Sequence, residues 1–424
     1  MLIPSNLLKD KKILLGVTGS IAVYKSLELV RLFVKAGADV KVIMSESAKK
    51  FVTPLSFEVL TSNKVLDDTN ESWVDEHNHI KTTQWADIFI IAPATANTIA
   101  KLANGIADNM LLQSALAYPH VKIVAPSANT NMLDSPFTKA NLKMLAIANY
   151  EVVDTQVKEL ACKTTGDGAM ADPLDIFWQS ARELLKDEFW SDRRVIVTGG
   201  GTIEKIDDVR YLSNFSSGKM ASSLATALYC KGADVNLIAT RFEENIPKDM
   251  HTIDVESSDE MLEYLTDSIR IAKKGKLSKA TLMRDEQIHL IQKEPYLFMA
   301  AAVSDYVPKF KQDGKLKKEM LGDNFELSLV QNIDILNSID KDGIITVGFK
   351  AEMDETNAIS NASKMIDTKS VDGVCLNILK NSSSFGSDTN KIEFITPNKK
   401  ESLKEGDKLT LSFDILTHAK ELGL

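Results

Sequence analysis

Two glycine-bearing turns, GVTGS (16–20) and TGGGT (198–202), each stand between an apolar run and a helix-like segment. Such a turn lets the backbone approach a phosphate while the first amides of the helix point at it. Taken alone, each also reads as a plain strand-to-helix turn, and GVTGSIAVYK lacks the full GxGxxG fingerprint of nicotinamide sites. Asp305 follows the apolar run YLFMAAA (296–302), at the strand end where α/β sheets bind ligands. Cys162 lies in ACKTTGDG, a Thr/Gly-rich stretch suited to a mobile flap that closes over a substrate and excludes water. His77 and His79 flank Asn78, Asn129 sits in SANTN, Thr95 in PATAN, and Lys315 opens KLKK. Each has a plainer reading: a surface turn for the histidines, a turn-forming amide for Asn129, a helix cap for Thr95 and a solvated lysine run for KLKK.

The elements that must position these residues come as a pattern that occurs twice. KKILLGVTGS (11–20) leads through IAVYKSLELVRLFVKAG to the apolar run ADVKVIM (38–44), which predicts strand, turn, helix and parallel strand. RRVIVTGGGT (193–202) opens a second such unit, with the helix ASSLATALYCKG and the strand ADVNLIA (233–239) after a loop to Met220. Further strands are expected at ADIFIIAP (86–93), VKIVAPS (121–127), YLFMAAA, GIITVGF (343–349) and VDGVCLNI (371–378), with one helix from Thr95 to Ala117. Apolar strands alternating with helices predict two doubly wound α/β domains with parallel sheets covered on both faces. The charged stretch ELLKDEFWSDRR (183–194) places the boundary, giving domains 1–190 and 191–424.

A chain of 424 residues with 44% apolar and 26% charged residues fits two ordinary globular cores. Its net charge of −9 argues against nucleic acid as a partner, since phosphate-backbone binding needs a concentrated positive surface. No apolar run is long enough to predict a membrane span and no signal peptide is read, so a cytoplasmic address is expected. Three scattered cysteines suit neither a disulfide framework nor a zinc site; Cys230 and Cys375 are expected to be buried thiols. The lysine-rich AKKGKLSK (272–279) reads as solvated surface.

Taken together and in order, GSIAVYK (19–25), HI (79–80), WADIFIIAPATANTIAK (85–101), APSANTNM (125–132) and ACKTTGDGAM (161–170) resemble the flavoprotein decarboxylases that act on cysteine-derived carboxylates, specifically the phosphopantothenoylcysteine decarboxylases. VRYLSNFSSGKM (209–220), AAAVSDY (300–306), KLKK (315–318) and GSDTN (386–390) resemble phosphopantothenate-cysteine ligases, and the order is that of the fused bacterial proteins. The sequence departs from the family pattern at Lys163 (usually Gly), Ala169 (usually Arg), Ala128 (usually Met) and Ile333 (usually Pro), and is longer and more charged across Phe242 to Leu290.

The resemblance implies a flavodoxin-like N-terminal domain that binds FMN and a Rossmann-like C-terminal ligase domain. It implies that Gly19 and Ser20 bind the FMN phosphate and that Thr95, Ala96 and Asn97 contact the flavin. It further implies His79 as a base or polarising donor, Asn129 as a neutral amide on the substrate carboxylate, and Cys162 as the proton donor that completes reduction of an enethiol. A cysteine carboxylate in amide linkage lacks an electron sink, and the resemblance implies that the flavin would supply one by oxidising the thiol-bearing carbon to a thioaldehyde and later returning hydride. In the ligase half the resemblance implies an acyl-cytidylate made from CTP and attacked by cysteine. Arg210 and Asn214 would hold the acyl intermediate, and Lys315 would neutralise phosphate charge. Met299, Ala300, Ala301, Asp305, Asn332, Ile333, Asp334, Ile335, Phe349, Lys364 and Lys369 would bind CTP, with Asp305 also a ligand for Mg2+.

The implied partners are 4'-phosphopantothenate, L-cysteine and CTP, in a homo-oligomer built from decarboxylase trimers and ligase dimers. Two other readings stay open at this point. A flavin-binding regulatory subunit would tolerate the changes at Lys163 and Ala169, and a nicotinamide oxidoreductase would use the two glycine turns without a flavin.

Overall fold

The computed structural model describes residues 1–75, 77–159, 163, 165–278, 288–317, 325–354, 356–379 and 386–424. The chain forms two compact units, one of Ser5–Leu185 with Ser278–His289, the other of Met1–Pro4, Lys186–Leu277 and Leu290–Leu424.

In the first unit the apolar runs become five parallel strands: β1 (Lys12–Val17), β2 (Asp39–Met44), β3 (Ile88–Ala94), β4 (Lys122–Pro126) and β5 (Tyr150–Val152). Their order is β2-β1-β3-β4-β5, so the winding reverses between β1 and β3, and a crevice opens beyond the carboxyl ends of those two strands. Strand β3 is buried along its whole length, which is why its sequence reads as an unbroken apolar run. Helix α1 (Val23–Lys35) buries Val23, Ser26, Leu29, Val30 and Phe33 on one stripe. Phe33 meets Phe177 of the helix Pro173–Leu185 with ring centroids 5.5 Å apart. Burying each such ring contributes about 2–3 kcal/mol.

The single helix expected from Thr95 to Ala117 is two, Ala96–Ala103 and Met110–Ala117. Gly105, at φ +67°, takes the left-handed conformation just past the first, and the Asn109 side chain caps the second by accepting from the Leu112 amide at 2.9 Å. A hairpin unforeseen from the sequence, Gln156–Glu159 with Thr165–Ala169, contains the TGDG end (165–168) of the ACKTTGDG stretch.

In the second unit eight strands form one sheet. In chain order they are β6 (Arg194–Gly199), β7 (Asp234–Ala239), β8 (His251–Asp254), β9 (Tyr296–Met299), β10 (Ile345–Glu352), β11 (Gly373–Ile378), β12 (Ile392–Ile395) and β13 (Lys400–Ser402). The order across the sheet is β8-β7-β6-β9-β10-β11-β12-β13, which makes the first six a 3-2-1-4-5-6 parallel sheet that reverses between β6 and β9. The last two strands run antiparallel, where the sequence predicted parallel strands throughout; Thr396 and Lys399 close the tight turn between them. Much of the stretch from Phe242 is integral to this unit, since the helix Ser258–Ala272 buries Met261, Leu265 and Ile269 in its core. The surface reading of 272–279 needs correction at Ala272, which is buried; Lys276–Leu277 stay at the surface, with Leu277 exposed, while their backbone pairs with Leu290–Ile291.

Candidate functional sites

At the first reversal, a cleft of about 700 Å3 is lined by Ser20, Ile21, Lys25, Ser127, Asn129 and Met170, among others. Ser20 Oγ lies 2.9 Å from Ser127 Oγ and accepts the Ala22 amide at 3.2 Å. Gly19 precedes it at the end of the turn, half-buried. Helix α1 starts beside them with no side chain capping its first amides, the arrangement that receives an anion. The ends of β1 and β3 are tied by Thr18, whose hydroxyl donates to the Pro93 carbonyl at 2.6 Å and accepts the Thr95 amide at 3.1 Å.

Thr95 caps its own helix, accepting the Thr98 amide at 3.2 Å, so the plain reading of PATAN holds for its side chain. Ala96 and Asn97 form the first turn of that helix, with Asn97 exposed.

Asn129 caps the short helix Thr130–Asp134, its Oδ1 accepting the Asn131 amide at 3.0 Å, and it lines the cleft. The hairpin packs on this loop: Ala128 donates its amide to the Gly168 carbonyl at 3.1 Å. Gly168 sits at φ +140°, and a Cβ there would stand 2.1 Å from the Ala128 carbonyl oxygen. Cys162 lies outside the described residues. Lys163, at φ +61°, occupies the left-handed region that favours glycine, and both it and Ala169 line the cleft.

His79 does not line this cleft. It begins the helix His79–Trp85, and its Nδ1 lies 2.7 Å from a Glu71 carboxylate oxygen. A carboxylate on Nδ1 fixes the tautomer and leaves Nε2 as the outward nitrogen. The backbone of His77 pairs with Ser72 instead.

Two cleft cations were missed in the sequence. Lys25 donates to the Met170 carbonyl at 2.6 Å, and Asp172 lies 3.4 Å from Lys25 and 3.0 Å from Lys158. Burial pushes the Lys25 ammonium below its ordinary range, against the attraction of Asp172. Burial works to raise Asp172, but hydrogen bonds from Gln156 and Lys158 and the Lys25 charge outweigh it, holding the carboxyl well below the usual range. The signal for Lys25 was its place five residues after Ser20, near the start of α1.

At the second reversal a cavity of about 880 Å3 gathers Met299, Ala301, Asp305, Asn332 through Ile335, Phe349, Lys364 and Lys369. Ala300 lines an adjoining cleft of about 210 Å3 that also contains Phe215–Ala221 and Lys408. Asn332 donates to the Ser304 carbonyl at 2.7 Å and to Ser258 Oγ at 3.0 Å, which fixes the floor. Asp334 caps the turn Ile335–Ser338 and pairs with Lys369. Lys364, like Asp305, has no ion-pair partner among the described residues. Asn361, Lys364 and Thr368 face the cavity from one helix, Ala358–Lys369; Asn361 and Thr368 were missed because a 3.6-residue face does not announce what it borders. Asn214 donates to the Val303 carbonyl at 2.9 Å, two residues before Asp305, and its own carbonyl passes so close to Gly201 that a Cβ there would stand 2.5 Å away.

Neither Arg210 nor Lys315 lines the cavity. Lys315 is exposed, and Arg210 turns instead to Asp207 and to the Leu316 carbonyl. No cluster of three or more His, Cys, Asp or Glu among the described residues could hold a metal. A single carboxylate such as Asp305 matches Mg2+ bound together with nucleotide phosphates and waters, as this ion commonly is.

Two doubly wound units, each with a cleft at its own switch point, define a two-part α/β enzyme. Residues 2–184 match the model of the flavoprotein family, and residues 190–274 and 272–422 match that of the DNA/pantothenate metabolism flavoprotein C-terminal domain. The chain is 35% identical to the coenzyme A biosynthesis bifunctional protein CoaBC of Bacillus subtilis strain 168, over 98% of each chain. It is 32% identical to the proteins of that name in Borreliella burgdorferi (96% of this chain, 98% of that one) and Haemophilus influenzae (98% of each). The chain belongs to this family of bifunctional coenzyme A biosynthesis enzymes, which joins a ligase and a decarboxylase. Among the described residues, no helix is long and apolar enough to cross a membrane.

Proposed function

We propose that residues 191–424 join cysteine to 4'-phosphopantothenate at the expense of CTP, and that residues 1–190 decarboxylate the product with FMN to give 4'-phosphopantetheine. The observation that carries this reading is the convergence of Asp305, Asn332, Asp334, Phe349, Lys364 and Lys369 on one cavity at a sheet reversal.

FMN, when bound, supplies the electron sink that the carboxylate lacks, taking two electrons and returning them, so the net reaction is redox-neutral. Ser20, Ser127 and the uncapped head of α1 fit its phosphate, and Thr95 to Asn97 border the same reversal. Asn129 holds the substrate carboxylate with a neutral amide, which avoids stabilising the charge that decarboxylation must remove. His79 lies outside this cleft in the single chain; oriented by Glu71, it would present Nε2 as a base, and Cys162 would return the last proton. Lys25 and Lys158 add positive potential at the cleft wall.

In the ligase unit Lys364 and Lys369 face the triphosphate, and Asp305 would hold Mg2+. Phe349 packs on the base or ribose, and Asn214 orients the acyl-cytidylate. Lys315, exposed outside the cavity of the single chain, would reach the departing pyrophosphate from its loop and neutralise its charge.

Exposed apolar side chains support assembly into decarboxylase trimers and ligase dimers: Leu55, Val59 and Phe137 on the first unit, Tyr306 and Phe310 on the second. A cytoplasmic address fits the two buried cysteines, Cys230 and Cys375, the latter with its pKa pushed up by burial. The test measures each half-reaction alone: phosphopantothenate-dependent pyrophosphate release from CTP, and carbon dioxide release from presynthesised phosphopantothenoylcysteine. Loss of either activity in the purified, FMN-supplied protein would refute the corresponding half.

A further inference from the structure

Lys315 stands on the connection between two short strands, Tyr306–Pro308 and Leu329–Gln331, that form an arm apart from the main sheet. A lysine on such a connection can place its charge reproducibly only if the backbone beneath it is fixed, because its side chain is itself long and mobile. Residues 206–210 supply that fixing. Ile206 accepts the Gln312 amide at 3.0 Å, and the Asp208 carboxylate accepts the Gly314 amide at 2.9 Å. Asp207 Oδ2 accepts the Leu316 amide at 3.1 Å and Arg210 Nε at 3.0 Å, while Arg210 donates to the Leu316 carbonyl at 2.9 Å. Asp207 Oδ1 takes the amides of Val209 and Arg210 at 2.9 and 2.7 Å. Both oxygens of this 1% exposed carboxylate are thus committed, and the residues on either side of Lys315 are bonded to one turn. The Arg210 hydrogen bond, foremost, holds Asp207 well below the usual carboxylate range, so the clamp stays charged at all working pH values.

We propose that Asp207 is a positioning residue for acyl-cytidylate formation, acting through Arg210 and the backbone of 314–316 to set where Lys315 stands. This rests on the reading of Lys315 as the cation that meets the departing pyrophosphate. A loop merely tied off for stability would carry the same hydrogen bonds, so the test must distinguish coupling to Lys315 from general support.

The experiment is a double-mutant cycle in the full-length protein, read as phosphopantothenate-dependent pyrophosphate release with CTP varied. Lys315→Gln alone should lower kcat roughly a hundredfold, the loss expected for a charge contact made in the transition state. Asp207→Asn should lower kcat about tenfold while changing the KM for CTP by less than about twofold. In the Lys315→Gln background the same Asp207→Asn change should cost less than about twofold, because the group it positions is gone. Asp208→Ala, at an exposed position where folding is not at stake, should give a smaller kcat loss, about threefold, that also vanishes with Lys315→Gln. Additive losses in the double variants, or wild-type kcat in both aspartate variants, would overturn the proposal. Wild-type release by Lys315→Gln would overturn the Lys315 reading itself, and with it this one.

Discussion

Replacing Gly168 by alanine should disable decarboxylation while sparing ligation. The position combines φ +140° with a Cβ that would stand 2.1 Å from the Ala128 carbonyl oxygen, so the side chain has neither a permitted conformation nor room. Forcing a side-chain-bearing residue into that backbone region costs about 1–3 kcal/mol, and relieving the overlap must break the Ala128–Gly168 hydrogen bond, a further loss of about 1 kcal/mol. The contact fails locally rather than the sheet globally, since β1, β3 and β4 take no part in it. About 3 kcal/mol against the docked hairpin lowers its docked-to-undocked ratio roughly a hundredfold, and kcat for carbon dioxide release from presynthesised phosphopantothenoylcysteine should fall by up to that factor. Pyrophosphate release from CTP is the internal control and should be unchanged. Wild-type decarboxylation in this variant would refute the role given to the hairpin, and parallel loss of both activities would mean that the substitution damages the whole protein.

Cys162→Ser should retain FMN and still release carbon dioxide but accumulate an oxidised enethiol, because a hydroxyl is a far weaker acid than a thiol; normal saturated product at the wild-type rate would remove Cys162 from the mechanism. Residues 1–190 expressed alone should be yellow and decarboxylate the synthetic substrate, and a colourless or insoluble fragment would disprove the independence of that half. Lys122 is pushed down to about 8 by burial, from an ordinary value of 10.5. The unfolded chain therefore binds more protons between those values, and this lysine's contribution to stability rises across that window. Measured by urea unfolding, the stability difference between Lys122→Met and the parent should shift in the parent's favour from pH 7 to pH 10; a constant difference would contradict the assignment.

What the sequence made legible and what it hid divide along a physical line. KILLGV and IFIIAPA announce buried strands because a strand covered on both faces leaves no place for polar residues, and the two runs that end in glycine turns, KILLGV and RVIVTG, locate both sheet reversals. Of the cavity residues, Asp305 could be nominated because it follows a strand end, whereas Phe349, inside a strand, and Lys369, on a helix, were named only through the family resemblance. Hidden were the features made by distant partners. The turn holding Asp207 meets Leu316 across 109 residues, and no local period reports that pairing. Glu71 reaches His79 through a turn whose sequence says nothing of the carboxylate's direction. The break at Gly105 was missed because ANGIADNM keeps enough apolar residues to imitate a continuous helix.

The central claim is that one chain runs both steps in sequence. The direct measurement supplies the purified protein with 4'-phosphopantothenate, L-cysteine, CTP and Mg2+, and follows CMP and carbon dioxide together. The account predicts that both appear in equal amounts, that each requires phosphopantothenate and CTP, and that 4'-phosphopantetheine accumulates. CMP without carbon dioxide would contradict it by leaving the flavin unit without turnover, and release of neither would contradict both halves.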